Sequence, residues 1–319
     1  MRLGWVLAAC GVVAAGAWVT HARFSADLAA ASARAAQGST LLATRCGPIE
    51  VQQAGAGRPL LMVHGSGGGH DQGMDWARPL TQHGVRVIAV SRFGYLRTPR
   101  PADASPAAQA DALVCVLDAL GIDRAAVVGV SAGAASALQA AIRHPARVSA
   151  LALGVPIAWR PDGVAPSAAP VSDAKDAWLL RLLGSDFLYW TALHVARDAV
   201  LRHVLATPPA LVHAASPAER ARIAAMAERV LPVSARAAGL VDDTRLGKRL
   251  GPAALEKVTA PTLVFSARDD GFGTYASAQY TAGRIAGARF VGFEQGGHLL
   301  VGHADAVHAA ILELLEATR

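Results

Sequence analysis

Residues 125–133 read AAVVGVSAG: an apolar run from Ala125 to Val130 enters Gly129-Val130-Ser131-Ala132-Gly133, and a helical pattern follows from Ala132 to Arg143. An uninterrupted run of small and β-branched residues is what a strand covered on both faces needs. The chain therefore turns from strand to helix at Ser131. A serine on so sharp a turn is held in strained backbone with its hydroxyl above the sheet, and flanking glycines relieve the crowding. In that context Ser131 is a candidate nucleophile, and the Ala132 N–H points toward the carbonyl it would attack. The competing reading is an ordinary serine N-cap for the helix, and in a chain rich in Gly, Ala and Ser the five-residue motif alone does not exclude it.

The neighbouring strands decide between the two. Upstream, Pro59 to Val63 runs into His64-Gly65-Ser66-Gly67-Gly68-Gly69. A glycine-rich turn can cradle phosphate, but no Gly-Lys-Ser/Thr ending follows, and no acidic residue stands at the ribose spacing after the next strand. The turn instead suits an oxyanion loop, with the backbone N–H of Ser66 or Gly67 joining that of Ala132 against a developing alkoxide. His64 reads as a structural residue of this loop. Downstream, Pro261 to Ser266 delivers Ala267-Arg268-Asp269-Asp270, and the next strand ends at Gln295-Gly296-Gly297-His298. His298 is the candidate general base and Asp270 the carboxylate that orients it. The chain order Ser, Asp, His is that of one triad family among several. A surface carboxylate in an ion pair and a solvated histidine are the alternatives.

Strand-like runs at Ile49–Gln53, Val85–Val90, Val148–Leu153 and Ala288–Phe293 join those three, and helical stretches at Met74–His83, Pro106–Leu120, Tyr275–Ile285 and Ala304–Ala317 lie between them. Such alternation predicts a mostly parallel sheet with helices on both faces, its functional groups at the carboxyl ends of the strands. The alternation stops between Pro156 and Ala260. A Pro/Ala-rich link (Arg160 to Pro170) leads there into helical patterns at Asp173–Ala206 and Pro217–Val230, which predict a helical cap; Trp178, Phe187, Leu188, Tyr189 and Trp190 read as its core. The expected divisions are 1–39, an N-terminal segment; 40–156 and 261–319, the two parts of the sheet domain; and 157–260, the cap.

The formal net charge of +6 carries no nucleic-acid signature, because the basic residues are scattered, aromatics make up 5% of the chain, and lysine occurs only at Lys175, Lys248 and Lys257. Cys10, Cys46 and Cys115 form no disulfide framework and no metal-ligand spacing, and they read as unpaired. From Leu3 to Val19 there is no charged residue. That stretch reads as a targeting or anchoring segment, a transmembrane helix or a signal, which places the catalytic domain at the cell envelope. Small residues at Ala15-Gly16-Ala17 and Thr20-His21-Ala22 offer cleavage sites. Leu7-Ala8-Ala9-Cys10 resembles a lipoprotein box set too early in the apolar run. Phe24 to Ser39 reads as a polar, Ala-rich spacer, so a chain beginning near Gly38 is expected to stay soluble and active.

Together HGSGGG, GVSAG, PTLVFSARDD and GGH, in this order over residues 46–316, resemble the α/β-hydrolase superfamily, in its capped serine hydrolase and esterase branch. The resemblance implies an α/β fold with an eight-stranded, mostly parallel sheet and a helical cap. The segment PTLVFSARDDGF is similar to capped esterases and carbon–carbon bond hydrolases, in which the second Asp of the pair is the triad acid; this favours Asp270 over Asp269. One departure is that Ser91-Arg92-Phe93-Gly94-Tyr95-Leu96 stands where many relatives carry D-x-x-G-x-G, and another is Arg92 near the expected mouth. Dehalogenase and epoxide-hydrolase branches use an Asp nucleophile, which Ser131 excludes. The implied reaction is acyl transfer to water from a small-molecule ester, with lactone, thioester, amide, carbon–carbon cleavage, transfer to an alcohol, or ligand binding on a vestigial triad as alternatives. Neither metal nor organic cofactor is implied, and no oligomeric state follows.

Overall fold

The computed structural model describes residues 2–161 and 184–318. Residues 162–183, which hold Trp178 and much of the expected link and first cap helix, lie outside them. The strands are β1 (Ser39–Thr44), β2 (Gly47–Ala54), β3 (Arg58–Val63), β4 (Val85–Val90), β5 (Ala125–Val130), β6 (Val148–Gly154), β7 (Thr262–Ala267) and β8 (Arg289–Phe293). They form one eight-stranded sheet in the order β1-β2-β4-β3-β5-β6-β7-β8. The β1–β2 and β2–β4 pairs are antiparallel, and every pair from β4 to β8 is parallel. Side chains alternate across the pleat, so Leu61 and Val63 enter one core layer while Leu60 and Met62 enter the other. Both layers are apolar, which is why the strands read as unbroken runs in place of an apolar/polar alternation. α3 (Pro106–Ala119), α4 (Gly133–Arg143) and α10 (Thr274–Arg284) cover the first layer; α2 (His70–Ala77) and α11 (Ala304–Glu316) cover the second.

No strand is expected from the sequence at β1. Its residues STLLAT are half exposed at the sheet edge, and only the pairing with β2 makes them a strand. The hairpin brings a second correction. Cys46, in its turn, is disulfide-bonded to Cys115 on α3, with the Cα atoms 6.0 Å apart; Cys10 is free and exposed. A separation of 69 residues leaves no local signature in the sequence; the pair exists because the hairpin folds over α3.

Between β6 and β7 the described chain forms α5 (Asp186–Val195), α6 (Arg197–His203), α7 (Pro209–Ala214), α8 (Pro217–Glu228) and α9 (Ala237–Arg249). Ser185 and Ser216 cap α5 and α8 by accepting from the N–H groups of Leu188 and Glu219, and Pro217 sits in the first turn of α8, where its missing N–H costs nothing. Tyr189, Trp190 and Leu193 are buried among Val200, Val230 and Val233, while Phe187 and Leu188 are exposed; the expected aromatic cap core is thus confined to part of the set.

α1 (Arg2–Ala36) is one continuous helix, and its two halves differ. Residues 10–23 are exposed, as are Trp5 and Leu7, and among the described residues no helix is long and apolar enough to cross a membrane. The second half is not a spacer. Ala31 and Ala35 are buried, and the Phe24 ring meets those of Phe187 and Trp190 edge-on at 5.2 and 5.7 Å. Trp190 Nε1 donates to Asp27 Oδ2 (2.8 Å), and the Ala35 carbonyl lies 2.8 Å from His70 Nε2. Positions 24, 27, 28, 31 and 35 make one helical stripe. It looks like a linker in the sequence because alanine carries most of it, and it becomes core only when the cap lies alongside. A chain beginning at Gly38 is therefore expected to lose about 3 kcal/mol of stability in urea unfolding, from the partial burial of Phe24 and the alanines and the hydrogen bonds to Asp27 and Ala35. A chain beginning at Arg23 should unfold like the full-length protein.

Candidate active site

β5 hands Ser131 to the turn before α4 with φ +53°, the left-handed conformation that a residue bearing a Cβ adopts at a cost. The turn is locked by Ser131 N–H donating to the Gly154 carbonyl (2.8 Å) and by Ile157 N–H donating to the Ser131 carbonyl (3.1 Å). Gly133 is required by approach rather than by φ, since a Cβ there would collide with the His64 and Val63 carbonyls. Ser131 Oγ lies 2.9 Å from His298 Nε2, and His298 Nδ1 lies 2.8 Å from Asp270 Oδ2. With Asp270 ionised, Nδ1–H donates to it, and Nε2 is left to accept from the serine hydroxyl. Asp270 is buried and also accepts from the Phe272 N–H (2.8 Å) and the Thr274 hydroxyl, so both carboxylate oxygens are held. Asp269 does something else: its Oδ1 accepts from the Gly297 N–H at 2.8 Å, tethering the loop that carries His298.

The insertion braces the same loops. The Ala206 carbonyl accepts from the N–H groups of Gly271 (2.9 Å) and His298 (3.3 Å), and Thr207 Oγ1 accepts from Leu299 N–H (3.1 Å). Gly297, at φ +61°, lies where a Cβ would be 2.8 Å from Thr207 Cα. Phe272 stands edge-on to His298 at 4.8 Å. Beside Ala132 a cleft of about 280 Å³ opens between Arg92, Phe93 and Ser136 on the sheet side and Asp243, Leu246 and Leu250 on the insertion.

The glycine-rich loop packs directly on the serine: a Cβ on Gly65 would lie 2.9 Å from Ser131 Cβ. Ser66 is exposed, the Gly67 N–H donates to Tyr95 Oη (3.4 Å), and the Gly68 N–H donates to the Gly65 carbonyl (3.3 Å). His64 is buried, with Nδ1 2.7 Å from the Gly65 carbonyl and Nε2 accepting from Arg92 N–H at 3.0 Å. Burial, then the charge of Arg92, push its pKa well below the ordinary histidine value, so it sits neutral in the loop's framework.

Charged residues outside the motifs hold this loop. Arg92 donates to the His64 carbonyl (2.9 Å) and, through both terminal nitrogens, to Asp243 (2.9 and 2.5 Å); Tyr95 Oη donates to the same carboxylate. Arg236 is fully buried and donates to the Gly68 carbonyl (2.6 Å) and to Asp71 (3.2 and 2.7 Å). Burial raises the Asp71 pKa, but the Arg236 charge and hydrogen bond outweigh it and leave the group below its ordinary value. After β4, Ser91 donates to Glu50 Oε2 (2.9 Å), so the buried carboxylate of this region comes from β2. Glu50 was readable as a charge inside an apolar strand; Arg236, Asp243 and Ala206 carry no sequence signal, since nothing local shows what they reach.

Two outcomes follow. Arg236→Met is expected to cost about 3–5 kcal/mol in urea unfolding, because Asp71 is left charged and unpaired in the interior. His64 and His308, which burial also lowers, bind protons more readily in the unfolded chain. Unfolding free energy should therefore be level above about pH 6.5 and fall on acidification below it, by about 1.4 kcal/mol per pH unit for each proton taken up. Denaturant titrations from pH 7.5 to 5 measure the slope.

A sequence profile for the alpha/beta hydrolase fold matches residues 58–303, and the chain belongs to this family. A 2-hydroxymuconate semialdehyde hydrolase from Pseudomonas sp. (strain CF600) is 40% identical over 131 residues, 40% of this chain and 44% of that protein. The match thus spans less than half the length of that relative. An alpha/beta hydrolase fold protein from Nakamurella multipartita superposes with a TM-score of 0.66 at 30% identity, over 88% of this chain and 100% of that one. A membrane phospholipase A described as a bacterial virulence factor shares the fold at a TM-score of 0.68 and 22% identity, over 99% of this chain and 98% of that one.

Proposed function

We propose that the protein is a serine hydrolase that cleaves a small carboxylic ester or related acyl compound through an acyl-enzyme on Ser131. The observation that carries the reading is the unbroken relay from Ser131 Oγ to His298 Nε2 at 2.9 Å and from His298 Nδ1 to Asp270 Oδ2 at 2.8 Å, ending in a buried carboxylate. His298 takes the hydroxyl proton as Ser131 Oγ adds to the substrate carbonyl, and returns it to the leaving alkoxide as the acyl–oxygen bond breaks. Water then adds to the acyl group with His298 again as base, and collapse frees the acid and Ser131. Asp270 holds the Nδ1–H tautomer and stabilises the imidazolium. The Ala132 N–H and the Ser66 N–H bind the alkoxide; Gly67, the alternative donor, is supported less well because its N–H is engaged by Tyr95.

Similarity to the semialdehyde hydrolase favours a second substrate class, an aldehyde or ketone in which the carbon–carbon bond next to the carbonyl is cleaved. Fluorophosphonate labelling with peptide mapping, followed by turnover of p-nitrophenyl esters and of a vinylogous diketone, tests both readings. An adduct on Ser131 is expected; an adduct elsewhere, or none in folded protein, overturns the nucleophile, and turnover of the diketone alone moves the substrate to the second class.

The catalytic body belongs outside the cytoplasm, tethered by the first half of α1. Three observations support this: that half is exposed and carries Trp5, Leu7, Val12, Val13 and Trp18, the Cys46–Cys115 disulfide suits an oxidising compartment, and the likeness to the membrane phospholipase covers α1 together with the hydrolase body. Recovery of the full-length protein wholly in the cytosol, with the two cysteines reduced, overturns it.

A further inference from the structure

α5 is apolar on two faces. Tyr189, Trp190 and Leu193 are buried in the cap, while Phe187, Leu188 and Val195 stand in solvent, 44, 46 and 77% exposed. Val195 lies two turns beyond Phe187 and Leu188, so the three share one outward stripe. Thr191 and His194 share this side, but three large apolar side chains exposed on one helix mark a surface that meets an apolar partner. Among the described residues outside α1, the other exposed large apolar side chains are Leu41, Val241 and Phe272, one each on separate segments; α5 gathers three.

The stripe also lies where α1 leaves the body. The Phe24 ring, at the start of the docked half, is 5.2 Å from that of Phe187, and from Arg23 toward the N-terminus the described side chains are exposed. Arg23 on α1, one residue from Phe24, is exposed, as is Arg202 on the following helix α6. Of the acids on these elements, Asp27 accepts from Trp190 Nε1, Asp186 from the Ser234 N–H, and Asp198 lies 3.0 Å from His213; they remain carboxylates, so the attraction to anionic lipid comes from the chain's net charge. Exposed apolar side chains beside the exposed apolar half of α1, on a chain whose formal net charge is +6, are the pattern of a surface that sinks into the interface of an anionic bilayer.

We propose that the outward stripe of α5 rests on the surface of an anionic lipid bilayer as a second contact beside α1, and that the substrate is the acyl ester of an amphiphile held in that bilayer. The substrate clause rests on the acyl chemistry proposed above; the surface does not. α5 leads through α6 to Ala206, whose carbonyl accepts from His298 N–H, so the lipid-facing helix and the loop of the base are one short stretch apart.

The test uses the full-length protein with Cys10→Ser, bound to vesicles of phosphatidylethanolamine and phosphatidylglycerol. A single cysteine is placed at Leu188, or at Leu41 on the sheet edge as the control, and labelled with an environment-sensitive fluorophore. The Leu188→Cys probe is expected to be quenched by spin-labelled lipid and the Leu41→Cys probe only by a water-soluble quencher. In the full-length chain, Phe187→Ser, Leu188→Ser and Val195→Ser together should lower hydrolysis of a vesicle-borne phospholipid at least tenfold and leave a short soluble ester unaffected. Quenching of the Leu188→Cys probe from water alone overturns the surface, as does protection from both quenchers with energy transfer between labelled copies, which would make the occupant a second chain. Lipid quenching without hydrolysis of any ester keeps the surface and overturns the acyl reading.

Discussion

Ser131→Ala is expected to lower kcat toward any substrate the protein turns over by roughly 10⁶-fold, with little change in KM, and to abolish the fluorophosphonate adduct. The size of the effect comes from covalent chemistry: without Oγ there is nothing for His298 to activate 2.9 Å away, and only the backbone donors and the binding cleft are left to act on water. The fold should hold, because the hydroxyl makes no hydrogen bond that the turn depends on; the turn is closed by the backbone bonds to Gly154 and Ile157. Ser131→Gly separates the roles further. At φ +53° a Cβ is a liability, so Ser131→Gly should be as inactive as Ser131→Ala and more stable by roughly 1 kcal/mol in urea unfolding. Residual turnover within tenfold of the parent would remove Ser131 from the chemistry.

Asp270→Asn is expected to reduce kcat by roughly 10⁴-fold, while Asp269→Asn should cost about tenfold or less. The two side chains are neighbours in sequence and differ in what they reach. Asp270 accepts the Nδ1–H of His298, and an amide there can present its own N–H and impose the other tautomer, which takes the lone pair away from Ser131. Among the described residues Asp269 accepts only from the Gly297 N–H, an interaction that the amide oxygen of asparagine preserves. Steady-state kinetics on both variants, with KM reported separately, decides the matter; the reverse ranking would move the orienting role to Asp269.

Local pattern was enough for much of this molecule. Apolar runs of strand length identified seven strands, because the central ones are buried on both faces and have to be apolar throughout, and Gly129 to Gly133 placed Ser131 on a strand-to-helix turn, because few other sequences tolerate that backbone. The order Ser131, Asp270, His298 named the residues that the fold brings to hydrogen-bond distance. What pattern could not decide were contacts between distant segments. Asp269 and Asp270 are chemically alike, and only the course of the loop after β8 selects which one meets the imidazole. Cys46 and Cys115 read as unpaired because their pairing depends on the β1–β2 hairpin crossing α3. The second half of α1 read as a spacer because alanine becomes core only when a partner lies against it. Arg92, Arg236 and Asp243, which tie the loop around Gly65 to the insertion, are ordinary surface residues by composition; tertiary structure buries them and pairs them across more than a hundred residues of chain. Sequence by itself thus determined what answers to local backbone geometry and burial on two faces, the sheet and the strand ends that carry the site. Tertiary structure alone decided which charges meet, which cysteines join and which half of the first helix belongs to the body, because each of these is settled by which segments fold against one another.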